Sequence, residues 1–127
     1  MDIQEKSNAL SKEIISAAIE VHRSLGSGLL ESAYEACLCH ELALRKIPFE
    51  QQVPLPVEYK GMKLDCAYRL DILVDQLVIL ELKAVTAIEP IHEAQLLTSL
   101  RLKKLWLGLL INFNVTLLKN GIKRIVN

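Results

Sequence analysis

A chain of 127 residues with 51% hydrophobic and 24% charged side chains, five glycines and four prolines has a globular composition, which excludes a disordered or low-complexity segment. Its longest uninterrupted apolar stretch, Leu105 to Ile111, is far short of the ~20 residues that span a bilayer. The opening Met1-Asp2-Ile3-Gln4-Glu5-Lys6 also lacks a signal-peptide layout, so one domain over residues 1–127 with a cytoplasmic address is expected.

Leu10, Ile14, Ala17, Ala18, Val21 and Leu25 recur at helical spacing and predict an amphipathic helix from about Ser7 to Leu25. Gly26-Ser27-Gly28 breaks it. A second helix is predicted from about Leu29 to Lys46, with Leu30, Ala33, Tyr34, Cys37, Leu38 and Leu42 as its apolar stripe, and Pro48 bars its continuation. The period then changes to two. Val53, Leu55 and Val57, a turn at Lys60-Gly61, and a return over Met62 to Tyr68 predict a hairpin. Arg69 to Val85 reads as two more strands around a turn at Asp75-Gln76, because Leu70, Ile72, Val74, Val78, Leu80 and Leu82 alternate with their neighbours. Pro90 to Lys104 has a helical composition, and Leu105 to Ile111 suits a buried strand. Asn120-Gly121, between Thr116-Leu117-Leu118 and Ile122 to Val126, predicts a type I′ hairpin. The expected order is ααββββαβββ, an α/β fold. Cys37, Cys39 and Cys66 are odd in number with no CxxC spacing, so reduced thiols are expected.

Asp71, Glu81 and Lys83 fall on the central strands, where both faces look covered. An unpaired buried charge there loses hydration worth several kcal/mol, so something must compensate. Asp71 and Glu81 share a face only if the intervening turn has an odd number of residues or a bulge. If they converge, their repulsion calls for a cation, and hard oxygen ligands favour magnesium or manganese. Lys83, two residues beyond Glu81, points to the same side, placed to hold a water or stabilise charge on a phosphoryl oxygen. The competing reading is a structural ion-pair network among Arg69, Asp71, Glu81 and Lys83.

Residues 94–127 contain Arg101, Lys103, Lys104, Lys119, Lys123 and Arg124 and no acid, while the fifteen acids all precede them. Such a basic segment either faces nucleic-acid phosphates or is a solvated surface that offsets the acids.

Asp71, nine residues, and Glu81-Leu82-Lys83, with a later helix carrying Gln95, resemble the PD-(D/E)XK nuclease signature. Gly28-Leu29-Leu30-Glu31-Ser32-Ala33-Tyr34 supplies the pattern GxxExxY, and from about Leu10 to Val126 the chain resembles the small bacterial GxxExxY family of that superfamily. The resemblance implies a restriction-endonuclease-like mixed central sheet flanked by helices, a magnesium- or manganese-dependent site, and hydrolysis of DNA or RNA phosphodiesters. Asp71 and Glu81 correspond to its metal ligands, Lys83 to its catalytic lysine, and Gln95 to a supporting glutamine of the QxxxY element, whose aromatic position is Ser99 here. Glu31 resembles an additional metal ligand, the reading favoured over that of an acid placed in a helix's first turn for the dipole. Tyr34 is expected in the core or orienting Glu31, and His22 is a further candidate for the same pocket. The alternative function is a catalytically silent nucleic-acid-binding or partner-docking module that retains the nuclease fold. A homodimer is a third reading, resting on the high apolar fraction.

Overall fold

A computed structural model describes the backbone of residues 1–127 and the side chains of all but residues 65–67. The expectation of a reduced thiol at Cys66 therefore lies outside the described side chains. Of the other two cysteines, both free, Cys39 is buried, which pushes its thiol up to about 12.

Helix α1 (Ile3–Leu25) starts where the Asp2 side chain accepts the Glu5 backbone N–H at 2.8 Å, a cap ahead of the predicted start. Helix α2 (Glu31–Leu44) follows a loop in which Gly26 and Gly28 take positive φ angles of 73° and 100°. Strands β1 (Phe49–Tyr59), β2 (Met62–Val74) and β3 (Val78–Lys83) come next, then helix α3 (Pro90–Lys103), β4 (Leu107–Asn112) and β5 (Ile122–Val126). The five strands form one mixed sheet in the order β1-β2-β3-β4-β5, with only β3 and β4 parallel. Helix α3 supplies the crossover that a parallel pair requires.

Burial on both faces explains the near-continuous apolar runs of β3 and β4. On one face Ile72, Val74, Leu80, Leu82, Leu109 and Ile111 pack against Ile14, Ala17 and Val21 of α1 and Tyr34, Leu38 and Leu42 of α2. On the other, Leu55, Leu73, Ile79 and Leu110 pack against Leu96 and Leu100 of α3. Gly108 lets α3 approach closely, since an added Cβ would sit 2.9 Å from Leu96. Pro54 and Pro56 are tolerated because β1 is an edge strand, whose register shifts between Leu55 and Val57.

Two parts of the predicted order are corrected. Met62–Val74 is one continuous strand rather than two, because β2 pairs with β1 along its length and with β3 only at Ile72–Val74. The Asn120-Gly121 hairpin does not form either. Residues Leu118–Gly121 make a 3₁₀ helix, neither Asn120 nor Gly121 has the positive φ of a type I′ turn, and β5 pairs with β4 across a longer loop. That loop is anchored by Asn112, whose Oδ1 accepts the N–H groups of Val85 (3.1 Å) and Asn114 (3.2 Å) and whose Nδ2 donates to Val85 O at 3.0 Å.

Candidate active site

The hairpin between β2 and β3 sets the geometry. Asp75 and Gln76 take positive φ angles of 50° and 56°, and Leu77 N donates to Val74 O at 2.9 Å. Val74 nevertheless pairs with Val78, so the loop holds three residues and Leu77 is the extra one. With a two-residue loop Asp71 would face Leu80. With three, the register that pairs Ile72 with Leu80 carries Asp71 to a place beside Glu81. There the ladder opens, and Asp71 Oδ2, in place of a β2 carbonyl, accepts the Leu82 N–H at 2.8 Å.

The register sets the two carboxyl groups side by side, near enough for the charge of Asp71 to act on Glu81. Burial, followed by the negative charge of Asp71, pushes Glu81 up to about 8; Lys83 opposes this. Asp71 is also raised, first by burial and then, against the lowering effect of the Leu82 N–H, by the charges of Glu35 and Glu31. Lys83 attracts both carboxylates yet is paired with neither. Among the described residues the ion pairs within 4.0 Å are Arg23–Glu20, Arg45–Glu41 and Lys123–Glu93. The structural network of Arg69, Asp71, Glu81 and Lys83 is therefore absent among them.

Glu31 begins α2, is exposed, and makes no hydrogen bond through its side chain among the described residues. Among those residues no three His, Cys, Asp or Glu side chains are grouped to hold a metal ion, so Glu31 does not join Asp71 and Glu81 in a ready-made triad. Glu35, one turn later and missed in the sequence, affects Asp71 more strongly than Glu31 does. It is half-buried and accepts from Gln51 Nε2 (3.2 Å) and Gln52 Nε2 (3.0 Å). Gln52, at φ 49°, lies across the β1–β2 ladder from Asp71, between the pairs Gln51–Ile72 and Val53–Leu70. The i, i+4 spacing of Glu31 and Glu35 was the available signal.

Tyr34 is fully buried and stacks on Phe113 with ring centroids 4.4 Å apart. Its hydroxyl donates to Gly26 O at 2.6 Å and accepts from Leu29 N at 3.2 Å, so it fixes the loop that enters α2 rather than touching Glu31. His22 is a correction. Its Nε2 lies 2.8 Å from Val115 O, and it lines a separate cleft with Ile19, Leu117 and Lys119 that contains neither Asp71 nor Glu81. Gln95, exposed on α3, lines a cleft of about 630 Å³ that does contain Glu81; Ser99 Oγ donates back to Gln95 O at 3.1 Å.

The basic residues do not make one patch. Arg101 and Lys103 lie in the last turn of α3, with Lys104 capping it at φ 60°. Lys123 pairs with Glu93 of α3 at 2.9 Å, whereas its neighbour Arg124 hydrogen-bonds Asn8 of α1 and lies over Trp106. Adjacent on a strand, these two serve opposite faces of the sheet. Lys119 sits by the His22 cleft.

A model of the PD-(D/E)XK nuclease superfamily matches residues 8–125. The chain belongs to that superfamily. No curated protein and no solved structure gives a significant match. The mixed sheet flanked by helices is the restriction-endonuclease-like architecture of PD-(D/E)XK nucleases, which generally use divalent metals. Among the helices, none is long and apolar enough to cross a membrane.

Proposed function

We propose that the chain is a metal-dependent nuclease that hydrolyses DNA or RNA phosphodiesters, with Asp71 and Glu81 holding magnesium or manganese and Lys83 as the catalytic lysine. One observation carries the reading: two half-buried carboxyl groups lie side by side, and Lys83, which makes no ion pair among the described residues, is within electrostatic reach of both. Two carboxylates suffice for the fit, since Mg²⁺ commonly takes one or two from protein and completes its shell with water and substrate phosphate. Such an ion, bound, supplies polarisation of the phosphoryl group and a more acidic water.

The chain's own residues do the rest. The Leu82 N–H holds one Asp71 oxygen in place, which leaves the other for a ligand. Glu31 and Glu35 add negative potential that draws a cation toward Asp71. Lys83 orients the attacking water or stabilises charge on a phosphoryl oxygen. Gln95 supports substrate across the cleft from Glu81, and Arg101 and Lys103 at the end of α3 meet backbone phosphates. The opening of the chain around Gly28, Glu31 and Tyr34 supports placement in the GxxExxY group of bacterial proteins.

The test is cleavage. Purified protein with Mg²⁺ or Mn²⁺ is offered single-stranded, double-stranded and branched DNA and RNA, alongside Lys83→Ala. Wild-type cleavage that Lys83→Ala abolishes is expected; no cleavage by wild type, with salt-sensitive binding indifferent to Asp71→Ala, makes the chain a binding module instead.

A further inference from the structure

The cleft beside Glu81 runs between the base of the β1–β2 hairpin and α3. A site that read phosphates alone would be walled by cations and N–H donors. Here Leu55, Val57, Ile91 and Leu102 form much of the wall, with Ile91 55% and Leu102 41% exposed. Tyr68 projects from β2 into the same lining and is 59% exposed. Among the described residues, no aromatic ring or cation packs on its ring, whereas Tyr34, Tyr59 and Trp106 each have such a partner. Next to it, Arg69 is exposed, and among the described residues its guanidinium makes one hydrogen bond, to Gln52 O at 3.3 Å.

We infer that this cleft takes a single-stranded segment of nucleic acid, with a base stacked on Tyr68, the adjoining phosphate at Arg69, and the strand leading to Glu81. The inference rests on the hydrolytic reading of the carboxylate pair and names the substrate form it accepts. Duplex nucleic acid keeps its base faces stacked inside and presents sugar and phosphate outward, so it would leave the apolar walls and the Tyr68 ring without a partner. A single strand offers apolar base faces and phosphates at alternate positions, which matches apolar walls, an open phenol ring and one guanidinium. A purely apolar protein segment would leave Arg69 and Glu81 uncompensated at the wall. The cleft's volume, about 630 Å³, lies in the range of sites that hold small organic groups.

Fluorescence anisotropy in Ca²⁺ with a short labelled oligothymidylate and a blunt duplex of matched length provides the test. Wild type is expected to bind the single strand more tightly. Tyr68→Ala lowers that affinity roughly five- to 100-fold and leaves duplex binding unchanged, and Tyr68→Phe, which keeps the stacking face, binds as wild type. The side chain is largely exposed, so a melt of Tyr68→Ala should overlay that of wild type. Preference for duplex, equal binding by Tyr68→Ala and wild type, or loss in Tyr68→Phe as large as in Tyr68→Ala overturns the inference. Cleavage is read separately. Protein that prefers single strands through Tyr68 but cuts nothing upholds the cleft and overturns the hydrolytic reading; protein that cuts through Lys83 while Tyr68→Ala binds normally overturns the cleft alone.

Discussion

Asp71 Oδ2 accepts the Leu82 N–H at 2.8 Å, so one side chain completes the ladder where β2 leaves β3. The contact gives Asp71 a structural duty separable from its charge. Asp71→Asn keeps a carbonyl oxygen for Leu82 and removes the repulsion that Glu81 feels, so it should fold at least as stably as wild type without metal. Asp71→Ala leaves the N–H unsatisfied and should be about 1–3 kcal/mol less stable than Asp71→Asn in urea unfolding. Equal stabilities would show that the hydrogen bond contributes nothing.

Glu81 gives the metal-free protein a characteristic pH dependence. Its carboxyl, ordinarily near 4.5, is pushed to about 8 by burial and then by Asp71. Between those values the folded state holds a proton that the unfolded chain has released, so stability falls as pH rises from 4.5 to 8 and levels off above. Urea midpoints measured across this window should decline by an amount on the order of a few kcal/mol, and Glu81→Gln should flatten the curve. A rise over the same window in wild type, with no change in Glu81→Gln, would contradict the burial.

Lys83 makes no ion pair within 4.0 Å among the described residues, so its removal costs the fold little. Lys83→Ala should change stability by less than about 1 kcal/mol while lowering kcat by about 10²–10³. A variant that loses activity only in proportion to lost folding would assign the lysine a structural role.

Two glycines are set by packing. Gly108→Ala meets the Leu96 side chain 2.9 Å away and should cost about 1–3 kcal/mol. Gly121→Ala meets the backbone carbonyl of Asn112, which yields less than a side chain does, and should cost more. Thermal unfolding of the two variants checks the order.

The alternation of Leu70 to Leu82 made the central strands legible, and the Asp71, Glu81 and Lys83 spacing made their motif legible. Their convergence was not, because it depends on Leu77 joining the loop, and Leu77 is apolar like the strand residues around it. Asn120-Gly121 misled for a related reason. Gly121 is there for its closeness to Asn112, a long-range contact that a local turn signal does not reveal. The role of His22 was open in the sequence because its partner, Val115 O, is 93 residues away. Glu35 was not legible as a neighbour of Asp71, since its approach depends on how α2 packs against the sheet.

A crystal soaked in Mn²⁺, with anomalous differences recorded near the manganese edge, tests the shared cation most directly. A peak bridging the carboxylates of Asp71 and Glu81, with Lys83 Nζ beside it, is the predicted result. A fully soaked crystal whose map is flat between the two carboxyls would contradict the account.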